Sequence, residues 1–109
     1  MISTKSMQEK LDAAQFPDIN PDFFKALGDP VRLALVAYMA HLGKPSTVTE
    51  VSGCCGIDFS GVSRHLKILR QAGIVTAQKQ GRETYYALDA GATKATLDRL
   101  SKIIGNISE

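Results

Sequence analysis

The hydrophobic period of the chain changes at Gly73, and this change constrains the fold more than any other feature. Before it, Val62, Leu66 and Leu69 recur at the spacing i, i+4, i+7, which is one apolar face of a helix. After it, β-branched and aromatic residues are grouped as in strands. The sequence therefore predicts a helix over 58–71 that is followed closely by β structure.

The predicted helix has a polar face opposite its apolar one. Ser60, Arg64, Lys67 and Gln71 fall on that face by the same helical arithmetic. Hydroxyl, guanidinium, ammonium and amide groups are those that reach base edges and phosphates in the major groove of DNA. An ordinary solvent-exposed face has the same pattern, so the helix alone does not separate the two interpretations.

Capping signals predict several helices before this one. A short helix over 22–27 is followed by a longer one, which Asp29 caps and Gly43 ends. Thr47-Val48-Thr49-Glu50 has the pattern of a capping box and opens a short helix to about Cys55. A short helix, a tight turn and a second helix together predict a helix-turn-helix motif.

The segment after Gly73 predicts a β-hairpin with a basic tip. Its strands are expected over 74–78 and 84–88, and the turn between them contains Gly81 for a positive φ. Beside a helix-turn-helix motif, such a hairpin is a wing. The polar residues of its tip are Lys79, Gln80 and Arg82.

The two ends of the chain predict a dimer interface. Helices are expected over 3–15 and 92–107, and the second has a broad apolar band. A chain of 109 residues has a small core with little room for this much terminal apolar surface, so part of it is expected to face a second copy. The residues assigned to this interface are Leu11, Leu97, Leu100, Ile103, Ile104 and Ile107.

Length and composition predict one globular domain over 1–109, and the predicted elements make it mainly α with a small β-hairpin. Hydrophobic residues make up 44% of the chain, and the formal net charge is +2. No apolar run is long enough to span a bilayer and the polar first residues do not form a signal peptide, so a cytoplasmic protein with reduced thiols and no membrane partner is expected. No catalytic constellation stands out, which predicts a protein that is not an enzyme and requires no cofactor.

Three strings of the chain resemble the arsenical-resistance repressor (ArsR) family. The run from Phe24 to Leu33, F-K-A-L-G-D-P-V-R-L, is similar to the family's opening. The run from Val62 to Val75, V-S-R-H-L-K-I-L-R-Q-A-G-I-V, is similar to its recognition helix and the turn that follows. Gly81-Arg82 with Tyr85-Tyr86 resembles the end of its wing.

The resemblance implies a homodimeric winged helix-turn-helix repressor that binds an inverted-repeat operator in double-stranded DNA and is released by an inducer. It implies that the hairpin tip makes a second DNA contact and that the terminal helices form the dimer interface. The positions that match the family's DNA-reading helix are Ser60, Gly61, Ser63, Arg64, His65 and Lys67.

The resemblance also directs attention to metal ligands. The family places a C-x-C pair where this chain has Thr47 and Thr49, and the last helix lacks the histidine of a second family site. Cys54 and Cys55 are adjacent, and some family members similar in this respect look like sensors of arsenical or mercurial species. Hg(II) is satisfied by two thiolates, whereas As(III) prefers three. We therefore expect a thiophilic ion at these cysteines.

Three alternatives compete with this expectation. Cys54 and Cys55 can be packing residues of a constitutive regulator, since buried free cysteine behaves as a small hydrophobe. They can instead form a redox switch. A winged-helix module that binds protein rather than DNA is a third hypothesis, against which the basic residues on the helix and the hairpin argue.

Overall fold

The computed structural model describes residues 19–107, without the side chain of Ile107. The predicted helix over 3–15, with Leu11, lies outside the described residues. The elements in chain order are α1 (Pro21–Leu27), α2 (Pro30–Leu42), α3 (Val48–Val51), a 3-10 turn (Ser52–Cys54), α4 (Phe59–Gln71), β1 (Val75–Gln80), β2 (Glu83–Leu88) and α5 (Ala90–Ile107).

The predicted starts of α2 and α3 are confirmed by their capping hydrogen bonds, whereas α1 begins at Pro21 and α5 at Ala90, slightly before the predicted positions. At α2, the Asp29 carboxylate accepts the backbone N–H groups of Val31 and Arg32 at 3.0 and 3.1 Å. At α3, Thr47 Oγ1 accepts the Glu50 N–H at 3.3 Å and the Glu50 carboxylate accepts the Thr47 N–H at 3.1 Å, which completes the capping box. These local bonds set where each helix begins.

The helix predicted to run to about Cys55 is shorter than expected. Its α-helical part ends at Val51, and Ser52 to Cys54 form a 3-10 turn. The Ser52 hydroxyl donates to the Val48 carbonyl at 2.7 Å, so a side chain satisfies a carbonyl at the end of the helix. The two cysteines therefore stand at an irregular helix end and not on a regular helix.

Ile74 was predicted to begin the first strand, and this is wrong. Its N–H donates to the Leu69 carbonyl at 3.0 Å, and the Gly73 N–H donates to the Arg70 carbonyl at 3.0 Å. With Gly73 at φ 80°, this pair of bonds is the Schellman motif that closes a helix. Ile74 is therefore part of the helix end, and β1 begins one residue later.

The hairpin is longer and its turn tighter than predicted. The antiparallel register pairs Gln80 with Glu83, which leaves only Gly81 and Arg82 in the turn. Gly81 has φ 65°, which suits the first position of a two-residue hairpin turn. Lys79 and Gln80 thus lie in β1 and not in a loop, because the ladder hydrogen bonds continue to the turn.

The core forms where α4 crosses the other helices. Val62, Leu66 and Leu69 of α4 are buried with Leu35 and Met39 of α2, as the apolar period predicted. The architecture is a winged helix-turn-helix fold with mainly α structure and one hairpin, which confirms the predicted fold class. No helix within residues 19–107 has the length and apolar character needed to cross a membrane.

Candidate nucleic-acid interface

We call α4 (Phe59–Gln71) the recognition helix. One carboxylate caps its first turn. Asp58 is its N-cap, and its Oδ1 accepts the Gly61 N–H at 3.1 Å. Its Oδ2 accepts the Ser60 hydroxyl at 2.9 Å. The hydrogen bond from Ser60, followed by that from Gly61, lowers the pKa of Asp58. Because the Ser60 hydrogen is engaged in this way, its oxygen lone pairs remain to accept a bond from outside.

The polar face of the recognition helix is open to solvent. Ser60, Arg64, Lys67 and Gln71 are all exposed, as predicted from their spacing. The opposite face is buried in the core. The helix therefore presents two cations, a hydroxyl and an amide on one side, and that side has no cover within the described chain.

Gly61 lies on a different side of the helix from these residues. It is buried, and a Cβ added there would come within 2.7 Å of both Asp58 Oδ1 and the Ile57 Cγ2 methyl. Contacts that short are not tolerated without a shift of the turn. Gly61 therefore supports the turn geometry and is not part of the exposed polar face.

His65 is also turned away from the exposed face. It is partly buried, and its Nδ1 lies 3.3 Å from Arg32 Nη1 of α2 and 4.0 Å from Asp29 Oδ2. Since guanidinium only donates, the Nδ1 atom accepts and the ring proton of neutral His65 sits on Nε2. Arg32 Nε in turn donates to the Ala26 carbonyl of α1 at 2.7 Å. His65 thus joins the recognition helix to the junction of α1 and α2.

The hairpin, which we call the wing, lies beside the first turns of the recognition helix. Lys79, Gln80 and Arg82 at its tip are exposed. Residues of both elements line one cleft of about 390 Å³, among them Phe59 and Ser63 of the helix and Arg82 of the wing. The structure thus brings Ser63 of the recognition helix and Arg82 of the wing, which are well separated in the sequence, to one cleft.

The two cysteines lie in the segment between α3 and the recognition helix, and Cys54 contacts α2. Both are partly buried at the edge of the core. Cys54 Sγ donates to the Ala34 carbonyl at 3.6 Å. Burial, followed by a hydrogen bond with Cys55 and the charge of that neighbour, raises the pKa of Cys54 to about 11. Cys54 is therefore a neutral thiol at pH 7.

Comparison with known proteins agrees with this geometry. Residues 27–78 match the family model for a helix-turn-helix domain. The HTH-type transcriptional regulator YceK of Bacillus subtilis is 37% identical over 70 residues, which are 64% of this chain and 70% of that protein. The Streptomyces lividans protein named probable mercury resistance operon repressor is 32% identical over 91 residues, covering 80% of this chain and 71% of that protein.

The repressor SmtB of Mycobacterium tuberculosis is 37% identical over 81 residues, 74% of this chain, which spans only about half (54%) of SmtB. A homodimeric winged helix-turn-helix DNA-binding domain from Mycobacterium bovis has the same fold, with a TM-score of 0.62, 21% identity and coverage of 97% of this chain and 88% of that one. This chain belongs to the ArsR family. Family members of this kind are transcriptional regulators and not enzymes.

Sequence reasoning did not find the anchor of this ArsR-family recognition helix. Asp29 was recognised only as a cap, and Arg32 was noted only as part of the resemblance. The structure places both next to His65. Hydrogen bonding to the Arg32 backbone is the main cause that lowers the pKa of Asp29, so this carboxylate remains charged beside the histidine. Only a prediction of how α2 and α4 pack could have revealed this cluster.

The ArsR-family chain leaves one apolar face uncovered. Thr93, near the start of α5, is buried, whereas Leu97 and Ile104 further along the helix are 44% and 57% exposed. Leu100 and Ile103 between them are partly buried. These four leucine and isoleucine residues are the described members of the predicted dimer interface. Within residues 19–107, nothing covers the exposed side chains of Leu97 and Ile104.

Proposed function

We propose that this ArsR-family chain is a transcriptional repressor that binds an inverted-repeat operator in double-stranded DNA as a homodimer and leaves it when an inducer binds. One observation carries the proposal: the wing lies beside the recognition helix, where Arg82 of its tip shares a cleft with Ser63, and the polar face of that helix is exposed. A helix in the major groove with a basic hairpin beside it fits DNA, whereas a protein-interaction module needs no such pairing of cations.

The side chains divide into base-reading and phosphate-binding groups. Arg64 is long, exposed and near the start of the helix, where recognition helices contact base edges. Ser60 is suited to accept a hydrogen bond from a base amino group, since its own hydrogen bonds to Asp58. The groups assigned to phosphates or to the groove edge are Ser63, Lys67, Gln71, Lys79, Gln80 and Arg82.

His65 and Gly61 act in this proposal as positioning residues. His65 holds the recognition helix through Arg32, and Gly61 allows the turn that precedes it. Neither lies on the exposed polar face, so we assign base readout to their neighbours.

A second copy of the chain is the proposed cover of the apolar band on α5. Leu97 and Ile104 are large apolar side chains on one side of the helix, and burying them against a partner removes apolar surface from water. Leu11 and Ile107 complete the proposed interface. A two-fold dimer places its recognition helices about one helical turn of DNA, ~34 Å, apart.

Selection of tight-binding duplexes from a random library tests the proposal. The full chain should enrich an inverted repeat whose half-sites are separated by about 10 base pairs. In salt titrations with this operator, Lys79→Ala and Arg82→Ala should each lower the slope of log K against log salt by about 1, because each removes one phosphate contact. Glu83→Gln, which neutralises an acid beside the wing turn, should not lower the slope. Enrichment of no sequence would contradict the proposal, and an unchanged slope in both cation variants would remove the wing from the interface.

We further propose that the inducer is a thiophilic ion held by Cys54 and Cys55. The adjacency of the two cysteines in the chain supports this, as does their position at an irregular helix end directly before Gly56, Ile57 and the Asp58 cap. Within residues 19–107 there is no group of three or more His, Cys, Asp or Glu side chains that could hold a metal ion. The pair therefore fits Hg(II), which accepts two thiolates, better than As(III), which prefers three.

The chemistry of such binding follows from the neutral thiol. An ion that takes the Cys54 sulfur as a thiolate displaces its proton and breaks its hydrogen bond to the Ala34 carbonyl. This alters the turn on which the recognition helix is mounted. A tenfold loss of operator affinity requires about 1.4 kcal/mol of coupling, which differential binding of the ion by two thiolates can supply. A peroxide switch is less favoured, because the thiolate is the nucleophile and the pKa of Cys54 is about 11.

Cys54→Ser and Cys55→Ser should bind the operator like the parent but no longer release it with Hg(II). One remaining thiolate cannot chelate the ion, so each substitution should be sufficient. Cys54→Ala is the matched control for the hydrogen bond to Ala34, since serine keeps a donor and alanine does not. Release of the parent by Hg(II) should also become easier as pH rises from 6 to 9. Cys54, with a pKa of about 11, stays protonated over this range, so the ion displaces its proton throughout, and that displacement is easier at lower proton concentration.

Two results would contradict the cysteine proposal. If both serine variants respond to Hg(II) as the parent does, the inducer binds elsewhere. If Cys55→Ser unfolds the protein while Cys54→Ser is silent, the pair is packing.

A further inference from the structure

A large aromatic side chain is exposed at the first position of the recognition helix. Phe59 is 59% exposed, although Val62 and Leu66 in the same helix are fully packed. Burial of an aromatic ring lowers the free energy by removing apolar surface from water, so an exposed ring is stabilised when a partner covers it. Its position at the helix start, immediately before Ser60, is where recognition helices meet base edges.

The surroundings of Phe59 indicate what covers it. It lines the cleft between the recognition helix and the wing, whose polar lining consists of the hydroxyl groups of Thr47, Thr49, Ser63, Thr84 and Tyr86, the guanidinium of Arg82 and the carboxylate of Glu83. Hydroxyl and guanidinium groups bind phosphates. The covering surface therefore combines phosphates with an apolar group, and in the major groove that apolar group is the 5-methyl group of thymine, which phenylalanine contacts.

We propose that Phe59 contacts the 5-methyl group of a thymine and thereby specifies thymine at one position of each operator half-site. This inference rests on the proposed function, since it requires the recognition helix to enter the major groove. It assigns specificity to an apolar residue of a surface whose other exposed members are polar.

Deoxyuridine is the probe that isolates this contact. Uracil pairs like thymine and keeps the O4 acceptor, but it lacks the 5-methyl group. In the selected operator, each thymine is replaced by deoxyuridine at equivalent positions of both half-sites, and affinity is measured by fluorescence anisotropy. At one thymine the parent should lose about fourfold in affinity per half-site, which is the effect of leaving one methyl group unburied.

Substitutions at Phe59 should remove this sensitivity. Phe59→Ala should bind the thymine and deoxyuridine operators with equal affinity at that position, because no ring remains to contact the methyl. Phe59→Leu should retain part of the discrimination. Ile68→Ala is the matched control, because Ile68 is also an exposed apolar residue of this helix (39%). Ile68 follows Phe59 by nine residues and therefore lies on the opposite side of the helix, where it lines a different cleft with Asp22 and Arg32. This variant should retain the full fourfold effect.

The possible results separate this inference from the proposed function. Tight, sequence-specific binding with no deoxyuridine effect at any thymine would overturn the Phe59 contact and leave the repressor proposal standing. The same follows if Phe59→Ala keeps the parent's deoxyuridine sensitivity. A parent that binds all duplexes equally would overturn both.

Discussion

Replacing Ile104 with aspartate should convert the dimer into monomers and lower operator affinity by roughly 10³-fold or more, towards that of non-specific binding. Ile104 is 57% exposed in α5, in the band that we assign to the dimer interface. A carboxylate there would lose its water on dimerisation without gaining a partner charge, which is costly. A monomer reaches only one half-site, so it loses the contribution of the second. Sedimentation velocity measures the first effect and anisotropy titration of the operator the second.

Asn106→Asp is the control for the added charge. It introduces the same single negative charge at an exposed position two residues along α5, which is about 200° around the helix from Ile104. It should remain a dimer and bind as the parent does. Ile104→Leu should also remain dimeric. A folded Ile104→Asp protein that still sediments as a dimer would place the interface elsewhere.

Arg64→Ala should relax base discrimination by roughly 1–3 kcal/mol per half-site. Arg64 is exposed on the polar face, and its charge helps to lower the pKa of Asp58 at the helix start. A guanidinium bonds both acceptors of a guanine edge, and alanine removes both bonds. The measurement is the affinity ratio between the selected operator and variants with one changed base pair. Discrimination should fall at one position and persist at the others.

Two variants separate base readout from charge. Arg70→Ala removes an equal charge from the same helix, but Arg70 lies 240° around it from Arg64. It should weaken specific and non-specific binding by the same factor. Arg64→Lys keeps the charge without the planar fork and should recover affinity more than discrimination. An equal loss on operator and random DNA in Arg64→Ala would make Arg64 a phosphate contact.

Local interactions made much of the fold predictable from the sequence. Asp29 caps α2 by accepting backbone N–H groups two and three residues further on, and Gly43 ends the same helix with φ 64°. Thr47 and Glu50 each accept the other's backbone N–H in the capping box of α3. Each of these depends on residues within four positions, so the pattern alone is sufficient. The apolar period of α4 likewise predicted which residues enter the core, since one buried face requires that spacing.

Capping signals and the apolar period did not predict details that depend on competition between hydrogen bonds. Ile74 suits a strand by its β-branched side chain, yet its N–H closes the Schellman motif of α4. Ser52 continues a helical pattern, yet its hydroxyl bonds Val48 and the α-helix ends there. At each position, continuing the predicted element and ending the helix are both chemically reasonable. The combined free energy of the hydrogen bonds at the helix end selects between them.

Only the tertiary structure decided which polar residues work together. Arg32 and His65 are 33 positions apart, and their 3.3 Å contact exists because α2 packs across α4. Arg82 shares a cleft with Phe59 for the same kind of reason, since the wing folds back beside the helix start. Cys54 meets the Ala34 carbonyl through the packing of the turn against α2, and burial there raises the pKa of its thiol. Spacing along a chain specifies which face of a helix a residue occupies, but the neighbour across that face is set by how the helices pack.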